Sequence, residues 1–312
     1  MNLYGAVVAA RNALYDRGVL KQSKLRRPVV SVGSISVGGA GKTPFVILLA
    51  ELLRKRGVRV DVLSRGYGRR SSGVLVVESD DPAPFGDEPV LIRRRLGDVP
   101  VVVGESRYQA GVEAERRFET ELHLLDDGFQ HRDLARDFDV VLLSPRDLEE
   151  HLLPLGRLRE PLSSLGRADA IVWPAGADMP PAEITAGKPI WRVRRRVELA
   201  AGSPSRPFVF CAIAEPEHFR RDLENAGIEI TGFRCFRDHH AYRPSDIAAL
   251  REAASKTGAG GFITTEKDAV KLGGFGEQLG ETSVARLVVE LEEPRETVDT
   301  LLAKIGFSGP RS

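Results

Sequence analysis

Eight consecutive residues, Ser36-Val37-Gly38-Gly39-Ala40-Gly41-Lys42-Thr43, bring three glycines, a lysine and a threonine into an order that suits phosphate oxygens. Glycines let backbone N–H groups turn inward around an anion, and a helix N-terminus adds favourable potential. Lys42 would reach the β- and γ-phosphates of a nucleotide, and the Thr43 hydroxyl would ligate Mg²⁺. The general pattern for such a loop, G-x-x-x-x-G-K-[ST], begins with glycine where this chain has Ser36. The setting must therefore support the motif.

Carboxylates and histidines follow at intervals. Asp126 and Asp127 end the apolar run Leu122-His123-Leu124-Leu125, where doubly wound sheets hold ligands and a carboxylate can bind Mg²⁺ directly or through water. Gln130 and His131 lie in the same loop and could orient water or phosphate. Asp87 and Glu88, read as a loop between Gly86 and Pro89, suit a base that takes a proton from an attacking hydroxyl. Asp238-His239-His240 could orient such a base, although neighbouring histidines after a strand more often face solvent.

These groups need a frame. The run Pro28 to Val32 reads as a buried strand, and Phe45, Val46, Leu48, Leu49, Leu52 and Leu53 form the apolar face of the helix after the phosphate loop. Pro44 suits its first turn and Gly57 its end. Further short apolar runs at Val58–Leu63, Pro100–Val103, Leu122–Leu125, Phe138–Leu143 and Ala170–Trp173 alternate with helical patterns, which predicts a mainly parallel α/β sheet covered on both faces. Composition changes near Gly176. Ile190 to Leu199 reads as an exposed ribbon strand, and a smaller α/β unit starts at Pro207, with helix 216–226, strand 228–236, helix 244–257 and strand 261–265. The closing Gly309-Pro310-Arg311-Ser312 reads as frayed.

At 312 residues the chain exceeds one typical core, so two unequal domains are expected. The 45 basic against 44 acidic residues give a net charge of +1, which excludes a global field for nucleic acid. Cys211 and Cys235 are too few for a disulfide framework and read as two buried thiols in a reducing cytoplasm. No apolar run is long enough to span a bilayer and no signal peptide opens the chain, so the protein is expected on the cytoplasmic side. Residues 3–20 nevertheless put Leu3, Val7, Ala10 and Leu14 at helical spacing. Arg11, Arg17, Lys21, Lys24, Arg26 and Arg27 accompany them, opposed only by Asp16. Two readings stand side by side: a peripheral helix on an anionic membrane, or a helix packed on its own domain.

Taken in order, SVGGAGKTP, LSRGYGR, GDEP, LLDDGFQH, LGRLREPL, FRDHHAY and TTEKDAVKL resemble the bacterial tetraacyldisaccharide 4'-kinase family of lipid A synthesis, from about Tyr4 to Leu272. That family tolerates Ser or Thr where Ser36 stands. The resemblance implies transfer of the γ-phosphoryl group of ATP, with Mg²⁺, to the 4'-hydroxyl of an acylated glucosamine disaccharide 1-phosphate, forming lipid IVA at the cytoplasmic face of the inner membrane. It implies a P-loop NTPase-like α/β/α sandwich (1–188), a linker (189–206), a smaller α/β/α domain (207–283) and a C-terminal segment (292–312). Ile190–Leu199 and Val284–Leu291 would be the strands of a two-stranded ribbon joining the domains.

By the same resemblance Lys42 and Thr43 contact phosphate and Mg²⁺, Asp126 and Asp127 are the metal-side carboxylates, Asp87 is the general base, and His239, rather than His240, assists it. Glu88, Gln130, His131, Arg159 and Glu160 fall near the reacting groups or the substrate, and Ser64 and Arg65 near a phosphate. Thr265 to Asp268 receive no role. A monomer is expected. A nucleotide-dependent switch or metal-insertion chaperone also fits a glycine-rich loop, but the chain has neither an Asn-Lys-x-Asp guanine-reading motif nor a Cys/His metal store. A pure membrane-binding module would leave the phosphate loop and LLDDGFQH without purpose.

Overall fold

The structure, a computed structural model, describes residues 3–307. Among them twelve strands form one sheet: β1 Val29–Ser34, β2 Val60–Ser64, β3 Leu75–Val76, β4 Val101–Val103, β5 Leu122–Asp126, β6 Phe138–Leu142, β7 Ala170–Pro174, β8 Ile190–Glu198, β9 Phe208–Cys211, β10 Gly232–Cys235, β11 Phe262–Thr265 and β12 Thr282–Leu291. Their order is β10-β9-β11-β12-β8-β7-β6-β1-β5-β2-β4-β3. Only β3/β4 and β8/β12 pair antiparallel. Strands β1, β2, β5 and β6 are buried throughout, as their near-continuous Val and Leu content predicts for a parallel sheet covered on both faces.

The centre of this frame decides where chemistry can occur. From β1 the chain passes through the helix Lys42–Lys55 to β2, while β5 occupies the place between them and β6 lies on the other side of β1. A crevice therefore opens beyond the carboxyl ends of β1 and β5. Phe45, Val46, Leu49 and Leu53 bury the helix against the sheet, and Val298 and Leu301 of the C-terminal helix Pro294–Lys304 join the same core. Separate apolar clusters around Phe208, Phe210, Tyr242 and Phe262, and around Val209, Leu223 and Ile263, underlie β9 to β11.

Strand β12 serves two neighbours. Thr282–Ala285 pair in parallel with β11, and Arg286–Leu291 pair antiparallel with β8, so hydrogen bonding runs unbroken from one end of the sheet to the other. Residues 190–198 and 282–291 are strands, as expected of the segments 190–199 and 284–291, and both lie within the one sheet.

Three local expectations need correction. Asp87 and Glu88 lie not in a loop but in the first turn of the helix Asp87–Leu96, where Pro89 is tolerated and acidic side chains meet the positive end of the helix dipole. The strand expected over 228–236 is only Gly232–Cys235, because the Ile228 N–H is taken by Leu223 at the end of the preceding helix. Cys211 is buried as expected, but Cys235 on the edge strand β10 is exposed. The closing Gly309 to Ser312 lie outside the described residues.

Candidate active site

A cavity of about 610 Å³ opens at the carboxyl end of the sheet and is lined by Val37, Gly38, Gly39, Gly41, Lys42 and Thr43 of the phosphate loop. Gly38 and Gly41 adopt φ of 100° and 81°, a left-handed region that favours glycine. A side chain at Gly38 would also meet the Arg157 guanidinium at 2.5 Å. Ser36 is buried beneath the loop and Ala40 packs toward the core, so neither lines the cavity. Lys42 folds back toward Asp127, with Nζ 3.5 Å from Oδ1, and donates to Ser34 Oγ at 3.4 Å.

The two neighbouring carboxylates differ sharply. Asp127, at a left-handed φ of 50°, accepts from Arg159 at 2.7 and 2.9 Å. Burial alone would raise its pKa; the Lys42 charge and the Arg159 hydrogen bond and charge outweigh that and hold it well below the usual carboxylate range. Asp126 accepts from Ser64 Oγ at 3.3 Å, yet its Oδ1 is buried without a hydrogen-bond partner. Burial first, then Glu88 and Asp127, push its pKa up to about 7 against the pull of Lys42 and Arg107. A buried, unpartnered carboxylate oxygen at a cavity that Thr43 also lines fits a hard cation. Among the described residues no three His, Cys, Asp or Glu side chains gather as a metal centre. A Mg²⁺ ion here would draw its remaining ligands from water and phosphate.

Across the cavity, His239 Nδ1 lies 3.0 and 3.2 Å from the two Asp87 oxygens, although 152 positions separate the residues. His239 is held at φ 60°, and its ring centroid is 4.9 Å from that of Tyr67. Non-glycine residues in this region carry strain of about 1–3 kcal/mol, which persists where surroundings enforce it. Asp87 is 5% exposed and lies just behind His239 and Glu88, which line the cavity. Burial would raise its pKa, but the His239 hydrogen bond and the Lys267 charge hold it below the ordinary carboxylate value. His240 is directed elsewhere: it pairs with Asp246 at 2.9 Å and stacks on Phe236.

Ser64, Arg65, Gln130, His131 and Arg159 also line the cavity, whereas Glu160 is buried behind it, accepting from Gln130, Arg167 and Asn12. Sequence reasoning missed Arg107, whose buried guanidinium reaches the cavity and whose pKa burial lowers to about 10. It also missed Lys267, which sits among Glu88, Asp238 and His239, and Arg195, which shares a face of β8 with the buried Trp191 and Val193 and comes within 3.8 Å of where a side chain on Gly41 would begin. Strand alternation was the available signal for Arg195. Nothing in the local pattern marks Arg107.

The N-terminal helix Leu3–Asp16 packs on its own domain. One face docks on the site: Tyr4 OH donates to the Arg159 carbonyl, Arg11 to the Gln130 carbonyl, and Asn12 Nδ2 to Glu160 at 2.7 Å. The other leaves Leu3 83% and Val7 60% exposed. Among the described residues no helix is long and apolar enough to cross a membrane.

A parallel sheet whose central strand runs into a glycine-rich loop, with lysine, threonine and a strand-terminal carboxylate at its mouth, defines a nucleotide-type phosphate-binding protein of the P-loop class. Comparison with known proteins sharpens that class. The profile of the family described as tetraacyldisaccharide-1-P 4'-kinase matches residues 1–306, and the chain belongs to this family. It is 46% identical to the tetraacyldisaccharide 4'-kinase of Koribacter versatilis over 96% of each chain, and 40% identical to that of Aquifex aeolicus over 88% of each. A crystal structure of Aquifex aeolicus LpxK in complex with ATP superposes with a TM-score of 0.75 at 36% identity, covering 97% of this chain and 96% of that one.

Proposed function

We propose that this chain transfers the γ-phosphoryl group of ATP to the 4'-hydroxyl of an acylated glucosamine disaccharide 1-phosphate, forming lipid IVA. Beyond membership of the family, one observation carries the reading: a single cavity joins a phosphate loop to a carboxylate–imidazole pair drawn from distant parts of the chain. Phosphoryl transfer needs little else than in-line positioning, charge stabilisation and a proton acceptor.

In this reading the loop N–H groups from Gly38 to Thr43 receive the phosphates and Lys42 leaves Asp127 to meet them. Thr43 and Asp126 would hold Mg²⁺, which when bound offsets charge on the phosphate oxygens. Asp127 joins them only if Arg159 and Lys42 release it. Asp87, oriented by His239, takes the proton of the attacking hydroxyl, whose own pKa lies far above neutrality. Residues 1–188 and 207–283 act as two domains about the β8/β12 ribbon. Ion pairs from Arg157 to Glu215 at 2.5 Å and from Lys267 to Glu88 at 3.2 Å, which link those domains, support closure over the substrates. The exposed apolar face of the first helix and the basic residues after it lie on the cytoplasmic leaflet of the inner membrane, where such a substrate is found, and the enzyme works as a monomer.

The direct test incubates the protein with γ-labelled ATP, Mg²⁺ and the acylated disaccharide 1-phosphate. Label should appear in lipid, and Lys42→Ala should cut the rate by about 10²–10³-fold, as removal of one charge-stabilising donor does elsewhere. Label released solely as inorganic phosphate would overturn the reading in favour of a nucleotide switch.

A further inference from the structure

We infer that Lys267 is a positioning residue of this site: its ammonium holds His239 as the neutral Nδ1–H tautomer and so leaves Asp87 as the proton acceptor of the pair. The inference rests on the kinase reading above and adds to it a residue in the TTEKD segment, which that reading leaves without a role.

The geometry is restrictive. Lys267 Nζ lies 3.3 Å from His239 Nε2, and an ammonium has donors but no acceptor. Nε2 must therefore accept. The ring proton then resides on Nδ1, which faces the Asp87 oxygens at 3.0 and 3.2 Å. The opposite tautomer would aim an N–H at the ammonium and forfeit that hydrogen bond.

Lys267 is itself anchored. Glu88 at 3.2 Å, Asp238 at 3.3 Å and Asp87 at 3.8 Å surround its ammonium, and its side chain is 16% exposed. Burial alone would lower its pKa; the three carboxylates outweigh that and keep it protonated. The groups facing the Asp87–His239 pair are thus Glu88 beside Asp87, Asp238 beside His239, Lys267 and Lys271 from the helix Glu266–Leu272, and the ring of Tyr67. In the reaction the sugar O–H proton passes to an Asp87 oxygen as the new O–P bond forms, and the electron pair of the breaking β–γ bridge departs on ADP. His239 stays neutral throughout and fixes the other oxygen.

The test begins with the wild-type protein, so it does not depend on a variant folding. Long-range ¹H–¹⁵N spectra of histidine-labelled protein, with the His239 signals assigned by loss in His239→Gln, should show a protonated Nδ1 and an unprotonated Nε2 near pH 8. An Nε2–H tautomer or a doubly protonated ring would overturn the inference. In kinetics, Lys267→Met should move the acid limb of kcat/KM to higher pH, because a cation beside Asp87 is gone, costing about tenfold more at pH 6 than at pH 8.5. Lys267→Arg should keep the wild-type limb, and the KM for ATP should change little in either. A role in packing alone predicts lower stability with an unmoved limb, and that result also overturns the inference. Wild-type protein with the expected tautomer but no lipid phosphorylation would sink the kinase reading and leave the tautomer assignment standing.

Discussion

His123–Asp61 and His239–Asp87 are carboxylate–histidine contacts of nearly identical geometry in different surroundings. His123 Nδ1 lies 2.9 and 3.0 Å from Asp61, its register partner on the adjacent strand, and His239 Nδ1 lies 3.0 and 3.2 Å from Asp87. His123 and Asp61 have no exposed side-chain surface, and Glu115, 3.4 Å from Nε2, completes the enclosure. Glu115 in turn accepts the N–H groups of Arg26 and Arg27, so the cluster ties the segment before β1 to the sheet. His239 instead borders the cavity, strained in its backbone, with a cation on its second nitrogen. Distance alone does not tell the two pairs apart. Access, strain and the group behind the ring do.

The sharpest way to break this contrast is to neutralise each carboxylate. Asp87→Asn should lower kcat by about 10²–10⁴-fold, the usual worth of a general base, while thermal unfolding and nucleotide affinity change little. Survival of kcat within a few-fold would remove Asp87 as the base. Asp61→Ala should do the reverse: a stability loss of about 3–5 kcal/mol in urea unfolding, typical of a broken buried ion pair, with specific activity per folded molecule retained. If Asp61→Ala instead lost activity while remaining stable, the two pairs would not differ as described.

A subtler difference is in pH dependence. Burial would lower the pKa of His123, but the charge and hydrogen bond of Asp61, then Glu115, outweigh it and raise the pKa above 6.5. A raised folded-state pKa means the native state holds this proton more tightly than the unfolded chain. Its stabilisation is complete below pH 6.5 and is lost as pH rises through the folded value. Urea midpoints should fall over that interval in the wild type, and the corresponding component should vanish in His123→Gln. An unchanged slope in the variant would mean that His123 is neutral in the fold.

The smallest effect concerns the link between the first helix and the site. Asn12→Ala removes the hydrogen bond to Glu160, and kcat should fall by a few-fold, with a stability loss of about 0.5–1.5 kcal/mol, because Arg167 still donates to the same oxygen. Unaltered kcat on lipid substrate would mean that docking of this helix does not reach the catalytic loop.

How much of this was legible in the sequence follows the range of the interactions. The phosphate loop and the strand ending at Asp126 were readable because strand, turn and helix signals lie within about twenty residues and match one chemistry. The Asp87–His239 pair spans 152 positions; residue types offered both segments as candidates, and family resemblance singled out these two side chains. Lys267 finds Glu88 across 179 positions, and no local pattern announces such a contact. The Phe85–Pro89 segment misled because Gly86 and Pro89 both punctuate loops, yet a proline in a first helical turn sacrifices no hydrogen bond. The strand at 228–236 was read too long because Ile228 and Ile230 alternate like strand residues; they pack instead on the cluster around Leu223.

The docking of the first helix has one more consequence. Because Tyr4 and Asn12 grip the Arg159-Glu160 segment, and Arg159 grips Asp127, the outward apolar side chains are indexed to the reaction centre through three hydrogen-bonded steps. Were that face to settle into a leaflet, as proposed, the height at which a sugar hydroxyl must stand to meet the phosphate chain would be fixed by the protein. A lipid headgroup projecting too far or too little would then miss, and the helix would act as a depth gauge for the acceptor.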